Sequence, residues 1–289
     1  MYLLILPAVI YLLVFCYQPM YGVLIAFKDF KPSLGVWGSP WVGLKHFIKF
    51  FNSESFMRTL SNTLLVSIYS LLAGFPIPIL LALAMNAVNV KWFKKIVQTV
   101  TYAPHFISVV VIVGMIDLLF SPGASGLVNN FLGLFGVEPI FFLGKSEYFR
   151  HLYVWSGVWQ GMGWGSIIYL AALAGVDPSL HEAAEIDGAS RLQRMWHIDL
   201  PCILPTVVIM LILNAGKVMN VGFEKVFLMQ NPLNIEAAEV ISTYVYQRGL
   251  LNAQYSFSTA VGLFNSVVNI ILLLIVNKIS QTVGETSLW

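Results

Sequence analysis

Charge is what this sequence has least of. Asp, Glu, Lys and Arg make up 10% of its 289 residues, against 58% hydrophobic ones. A soluble chain of this length needs far more charge to cover its surface, so an aqueous globule is excluded. The net charge of +2 comes without any basic block, which excludes a nucleic-acid surface. Only two cysteines are present, Cys16 and Cys202, both in or beside apolar runs. They read as small core residues, neither a disulfide nor a metal pair. Nucleotide and metal motifs also fail on inspection. Gly144-Lys145-Ser146 ends like a phosphate loop, but Pro139 stands where its first glycine is required. His181-Glu182-Ala183-Ala184-Glu185 lacks the second histidine of a zinc-protease helix. Nothing assembles a nucleophile with a base, so neither catalytic nor metal-ligating residues are assigned.

What is abundant is long apolar sequence. Runs of about 20 residues recur along the chain, the length an α-helix needs to cross a bilayer. The reading is an all-α polytopic membrane protein with six transmembrane helices. They fall at about 1–27, 59–85, 97–120, 151–175, 202–221 and 258–279. The first is too long and too aromatic for a cleaved signal peptide. Residues 1–57 are taken as the first transmembrane helix with its outer loop, and 58–289 as the transmembrane core. Pro7 and Pro19 suggest kinks in the first span; Pro76 and Pro78 lie inside the second and Pro104 inside the third. Gly157, Gly161 and Gly165 share one face of the fourth, where another helix can approach closely.

Between the fourth and fifth spans lies a short charged stretch, residues 177–201. Asp177-Pro178 reads as an N-cap and first helical position. A short amphipathic helix carries Glu182, Ala183, Ala184 and Asp187, and Gly188 permits a bend that a Cβ would oppose. A second short helix follows, and Pro201 can open the next span. Glu182-Ala183-Ala184, Gly188, Ile198, Leu200 and Pro201 match, at every fixed position and spacing, the EAA loop of bacterial ATP-binding-cassette import permeases. This stretch therefore resembles the cytoplasmic coupling loop of that family.

The resemblance extends over nearly the whole chain, to permeases for complex oligosaccharides from plant or algal polysaccharides. Pro19-Met20-Tyr21-Gly22, Asn220-Val221-Gly222-Phe223-Glu224 and Val240-Ile241-Ser242-Thr243-Tyr244-Val245-Tyr246 carry it. It implies the type I importer permease fold, in a bacterial cell membrane, with movement of substrate by alternating access. The implied partners are a second homologous permease, two ATPase subunits that hold ATP and Mg, and an extracellular or periplasmic solute-binding protein. Besides these come the oligosaccharide itself and membrane lipid. No cofactor is expected on this chain. Permeases of this kind usually begin with a basic cytoplasmic segment, whereas Met1 lies already in the apolar run, so the chain reads as trimmed or only partly ordered at its start. Orientation also follows from the resemblance. Lys91, Lys94, Lys95, Arg191, Arg194 and Lys278 fall inside, but more basic residues fall outside, so the charge bias gives no independent support.

Candidate pathway residues are Trp155, Trp159 and Gln160, with Asn214 and Asn220. Aromatic faces and amides suit a hydroxyl-rich ligand, although tryptophans equally serve lipid interfaces and helix packing. Trp164 and Tyr169 belong to the same set, of which only part can face one way. Asp117 and Lys217 are the intramembrane charges. Similar depths suggest that they pair near the outer mouth, or that each reaches interfacial water separately. An ion-coupled secondary sugar transporter is the alternative reading. It needs an acid or histidine relay, and Asp117 alone provides little toward one.

Overall fold

Pro104 marks the sharpest change of course among the long helices. The computed structural model describes residues 2–123 and 125–284. In chain order the principal helices are α1 (Leu4–Phe27), α2 (Lys45–Phe51), α3 (Glu54–Gly74), α4 (Pro76–Ala87), α5 (Lys91–Tyr102) and α6 (Val109–Phe120). There follow α7 (Ser146–Leu173), α8 (Pro178–Ile186), α9 (Arg191–Arg194), α10 (Leu200–Ala215), α11 (Phe223–Met229) and α12 (Tyr255–Gly284). Among the described residues no strand forms; one isolated bridge joins Lys28 to Trp41.

Four helical stretches are long and apolar enough to cross a membrane: Leu4–Phe27, Glu54–Ala87, Arg191–Ala215 and Tyr255–Ile279. A fifth crossing is a bent pair, in which Lys91–Phe106 meets Val109–Phe120 at 101°. The expected third span is therefore not one straight helix. Pro104 sits in a tight turn at Ala103–Phe106, and Ser108 starts α6 afresh by accepting a hydrogen bond from the Val111 N–H. The expected fourth span corresponds to α7. Its 28 residues reach about 42 Å at 1.5 Å per residue. It is not among the most apolar helices, because tryptophan, tyrosine and glycine replace aliphatic residues along it.

Proline also explains two of the π-helical turns. A π-helical stretch, Leu12–Tyr17, precedes Pro19, and another, Met195–Asp199, precedes Pro201. A proline ring collides with the carbonyl four residues back, and a wider turn relieves that collision. Pro201 lies in the first turn of α10, as its place in the sequence suggests. The chain stays helical from Arg191 to Ala215.

The chain divides into two compact units, one formed by residues up to Ser61 with Glu239–Val268, the other by Asn62–Ala238 with residues from Asn269 on. In the first, Phe50 is buried in an aromatic cluster with Phe56, Tyr244, Phe257 and Phe264, ring centroids 5.0–6.1 Å apart. Arg58 makes a two-pronged ion pair with the buried Glu239. Asp29 receives Lys45 at 2.7 Å and His46 at 2.9 Å.

In the second unit α7 is central, touching α4, α5, α10 and α11. Ile79, Ala82 and Leu83 of α4 pack with Tyr169 and Leu173 of α7 and Ile203 of α10. The close helix approach expected at Gly157, Gly161 and Gly165 is mostly elsewhere. Gly161 has open space, and a Cβ added at Gly165 would lie 3.2 Å from the Pro78 ring. The tightest contact is at Gly163, where an added Cβ would lie 2.1 Å from the Thr101 carbonyl oxygen. Free Cys16 and Cys202 are both exposed, not in the core, which suits small residues on a lipid-facing helix.

Gly163→Ala is expected to cost about 1–3 kcal/mol through forced separation of α5 and α7. Gly161→Ala is expected to change nothing measurable. Thermal unfolding in detergent reads both, and equal stability of the two variants would contradict this packing.

Candidate functional site

Two features of the second unit carry chemistry: the loop around α8 and α9, and a cavity beside α7. The loop is built by local rules. Asp177 accepts a hydrogen bond from the Ser179 N–H at 2.9 Å, which holds its carboxyl below the ordinary carboxylate range, and Pro178 supplies the first helical position. At the other end Gly188 has φ +79°, and the Ala189 N–H returns to the Ala184 carbonyl at 2.8 Å. That is a Schellman end, which favours glycine for its left-handed backbone. No atom stands near a Cβ built on Gly188, so its role is conformational and not one of space. Ser190 and Gln193 then form a capping box that starts α9.

Three contacts hold this loop together and tie it to the end of α4. Arg194 pairs with Glu185 at 2.7 Å. Buried Asp199 accepts from His181 at 3.1 Å and from the Asn86 side-chain amide at 3.3 Å. One carboxylate oxygen therefore joins α8 to the end of α4 and to the turn before α10. A polar cavity of about 350 Å³ lies among these groups, lined also by Arg191 and Asn89. Glu182, Ala183, Asp187 and Gly188 face outward, as do Ile186, 87% exposed, and Leu192. Ala184, Ile198 and Leu200 are half-buried, and Pro201 is exposed.

The second feature is a cavity of about 490 Å³ between α3, α4, α7, α10 and α11. Gln160, Asn214, Lys217 and Asn220 line it, together with Ser67, Ser70, Tyr153 and Lys225. Trp155 and Trp159 do not. They line a separate apolar cavity of about 460 Å³ with Ile112, Met115 and Phe142. Trp155 also donates to the Tyr69 hydroxyl at 2.9 Å. Trp164 stacks on His105 with centroids 4.5 Å apart, while Tyr169 joins the core and touches the polar cavity. Asp117 and Lys217 are both exposed, and among the described residues no ion pair joins them. The pairing expected from depth assumed a straight third span, and the 101° bend removes that assumption. Lys225, on α11 outside the candidate spans, is buried, and burial pushes its ammonium down to about 8.

Residues 74–284 match the family model for the inner membrane component of binding-protein-dependent transport systems. The chain belongs to that family. Among its relatives, this permease is 48% identical to the polygalacturonan/rhamnogalacturonan transport system permease protein YteP of Bacillus subtilis, over all of this chain and 90% of the relative. It superposes with a TM-score of 0.91, at 43% identity, on a chain of a bacterial ABC transporter involved in import of the acidic polysaccharide alginate. That match covers 98% of this permease and 95% of the other chain. A further structure, the bacterial alginate transporter in complex with an alginate pentasaccharide-bound periplasmic protein, matches with a TM-score of 0.91 and 42% identity. There the match covers 99% of this chain and 96% of that one. The fold is thus that of an ABC importer permease, multi-pass in the bacterial cell membrane.

Two groups escaped the sequence reading. Asp199 lies between Ile198 and Leu200, and an acid in that apolar setting is itself a signal of a buried partner. Lys225 stands in the mainly apolar helix Phe223–Met229 and carries the same kind of signal.

Replacing Asp199 with alanine takes from His181 and Asn86 their shared acceptor in this permease. The expected cost is about 1–3 kcal/mol at the loop. Hydrogen exchange across α8 should quicken while α7 stays protected. Unchanged exchange in α8 would show that Asp199 does not hold the loop.

Proposed function

We propose that this permease works in an ATP-driven, binding-protein-dependent importer of oligosaccharides, and that the loop 177–201 couples it to ATP hydrolysis on separate subunits. The observation that carries this reading is the loop itself. Its polar and apolar residues face outward on two short helices, while buried Asp199 ties it to α4 and α10. Exposed Ile186 and Leu192 offer an apolar contact to an ATPase cleft, and Glu182 and Asp187 offer charge beside it. Each ATPase subunit would hold its own ATP and Mg. A second, homologous permease completes the membrane part, and a solute-binding protein delivers sugar from outside.

Alternating access follows from how the loop is attached. ATP closes the ATPase subunits, and the docked loop moves with them. Because His181, Asn86 and Asp199 share one contact, that motion reaches both α4 and the turn before α10. Both helices border the polar cavity, which makes that cavity the best candidate for the sugar path. Gln160, Asn214, Lys217 and Asn220 are its proposed polar contacts, and Trp155, Trp159 and Asp117 stand outside its lining. The ion-coupled alternative loses support, since the cavity lining contains no acid or histidine for a proton relay.

Gly188→Asp and Glu182→Lys test the coupling role in the assembled transporter. Both variants are expected to insert normally and to hydrolyse ATP, while sugar uptake falls at least tenfold, a loss of about 1.4 kcal/mol or more in coupling. Wild-type uptake in both would refute the assignment.

A further inference from the structure

The polar cavity is one-sided in charge. Lys217 and Lys225 line it, and no aspartate or glutamate does. Lys225 is only 8% exposed, yet it has no carboxylate within ion-pairing distance among the described residues. Its ammonium donates to the Tyr153 carbonyl at 2.9 Å and lies 4.9 Å from the centre of the Tyr153 ring. An ammonium has three N–H donors, and this one has a single oxygen acceptor among the described residues. A buried cation so placed is costly to the fold, and a ligand that compensates it is the natural reason for its retention.

The α7 backbone lies close to the ammonium: a Cβ at Gly157 would come 3.4 Å from the Lys225 nitrogen, in ordinary van der Waals contact. Ser67 and Ser70 also border the cavity, but their hydroxyl oxygens are buried beneath its surface. Ammonium donors in excess of their acceptors, on a lining without an acid, match a ligand that carries carboxylates. The volume, about 490 Å³, lies within the usual range of small-ligand sites, roughly 300–1,000 Å³.

We infer that this cavity is a carboxylate-selecting station on the transport path, in which Lys217 and Lys225 receive the carboxylates of a uronic-acid oligosaccharide. The inference rests on the importer reading above and adds the charge of the substrate and the residues that sense it. Attraction is deliberately incomplete. Charge-assisted hydrogen bonds from lysines are strong enough to favour entry, and the absence of a closed cage of donors permits release.

The test uses the complete transporter in membrane vesicles, supplied with two pools of sugars. One holds uronic-acid oligosaccharides from pectin and alginate digests, the other neutral oligosaccharides. Wild type is expected to import the acidic pool. Lys217→Gln and Lys225→Met should each lower that import about tenfold, the size of one lost charge-assisted hydrogen bond. Stimulation of ATP hydrolysis by the sugar-loaded binding protein should persist in both. Lys225→Arg should keep most of the import, and Lys225→Met should raise thermal stability by removing a buried charge. Undiminished acidic import in the Lys217→Gln, Lys225→Met double variant would overturn the station. So would import and stimulated hydrolysis falling together in every variant, Lys225→Arg included, because that marks a structural role. Import of the neutral pool in place of the acidic one overturns the station and leaves the importer reading intact. ATP-driven import of neither pool contradicts both.

Discussion

A peptide group in hydrocarbon has no water to bond, and this constraint shapes the whole chain. It leaves helix as the workable backbone, which is why a charge-poor, aromatic-rich sequence folds without a strand among its described residues. It also makes every proline a local problem. The chain answers with π turns before Pro19 and Pro201, a fresh start at Pro76, and a sharp bend after Pro104 with Ser108 as the new cap. Two of these places adjoin the functional features. The turn before Pro201 carries Asp199, and the Ile107 carbonyl beside the bend accepts from Gln160 at the cavity wall.

The same scarcity of water makes buried charge informative. Asp199 and Lys225 are the costly groups of the second unit, and each sits where motion or substrate is expected. Asp199 is paired within the chain and serves to hold the loop on its helices. Lys225 is braced by a carbonyl and a ring but lacks an anion, and it faces a cavity. The contrast separates a group retained for mechanics from one retained for a ligand.

The loop 177–201 was legible because its chemistry is local. Asp177-Pro178 and Gly188 are decided by neighbours in sequence and appear in the structure where their pattern places them, while the equally local Ser190–Gln193 box was not read from the sequence. The helical class was legible for a similar reason, since apolar length alone decides it. Features set by distant neighbours were not. Which glycine of α7 meets another backbone depends on where α5 lies, so Gly163 could not be singled out from the stripe at Gly157, Gly161 and Gly165. Trp159 and Gln160 are adjacent in sequence yet belong to different cavities, because each residue turns the helix by about 100°. The bend of the third span has visible causes in Pro104 and Ser108, but its angle depends on tertiary packing.

The central claim is that ATP hydrolysis, delivered through the loop 177–201, drives sugar through this permease. It is tested most directly by sugar uptake in proteoliposomes containing the whole transporter, energised either by ATP on the loop side or by an imposed proton gradient. Uptake with ATP alone, abolished when the ATPase subunits are omitted, is the predicted result. Uptake driven by the proton gradient without ATP would contradict the account.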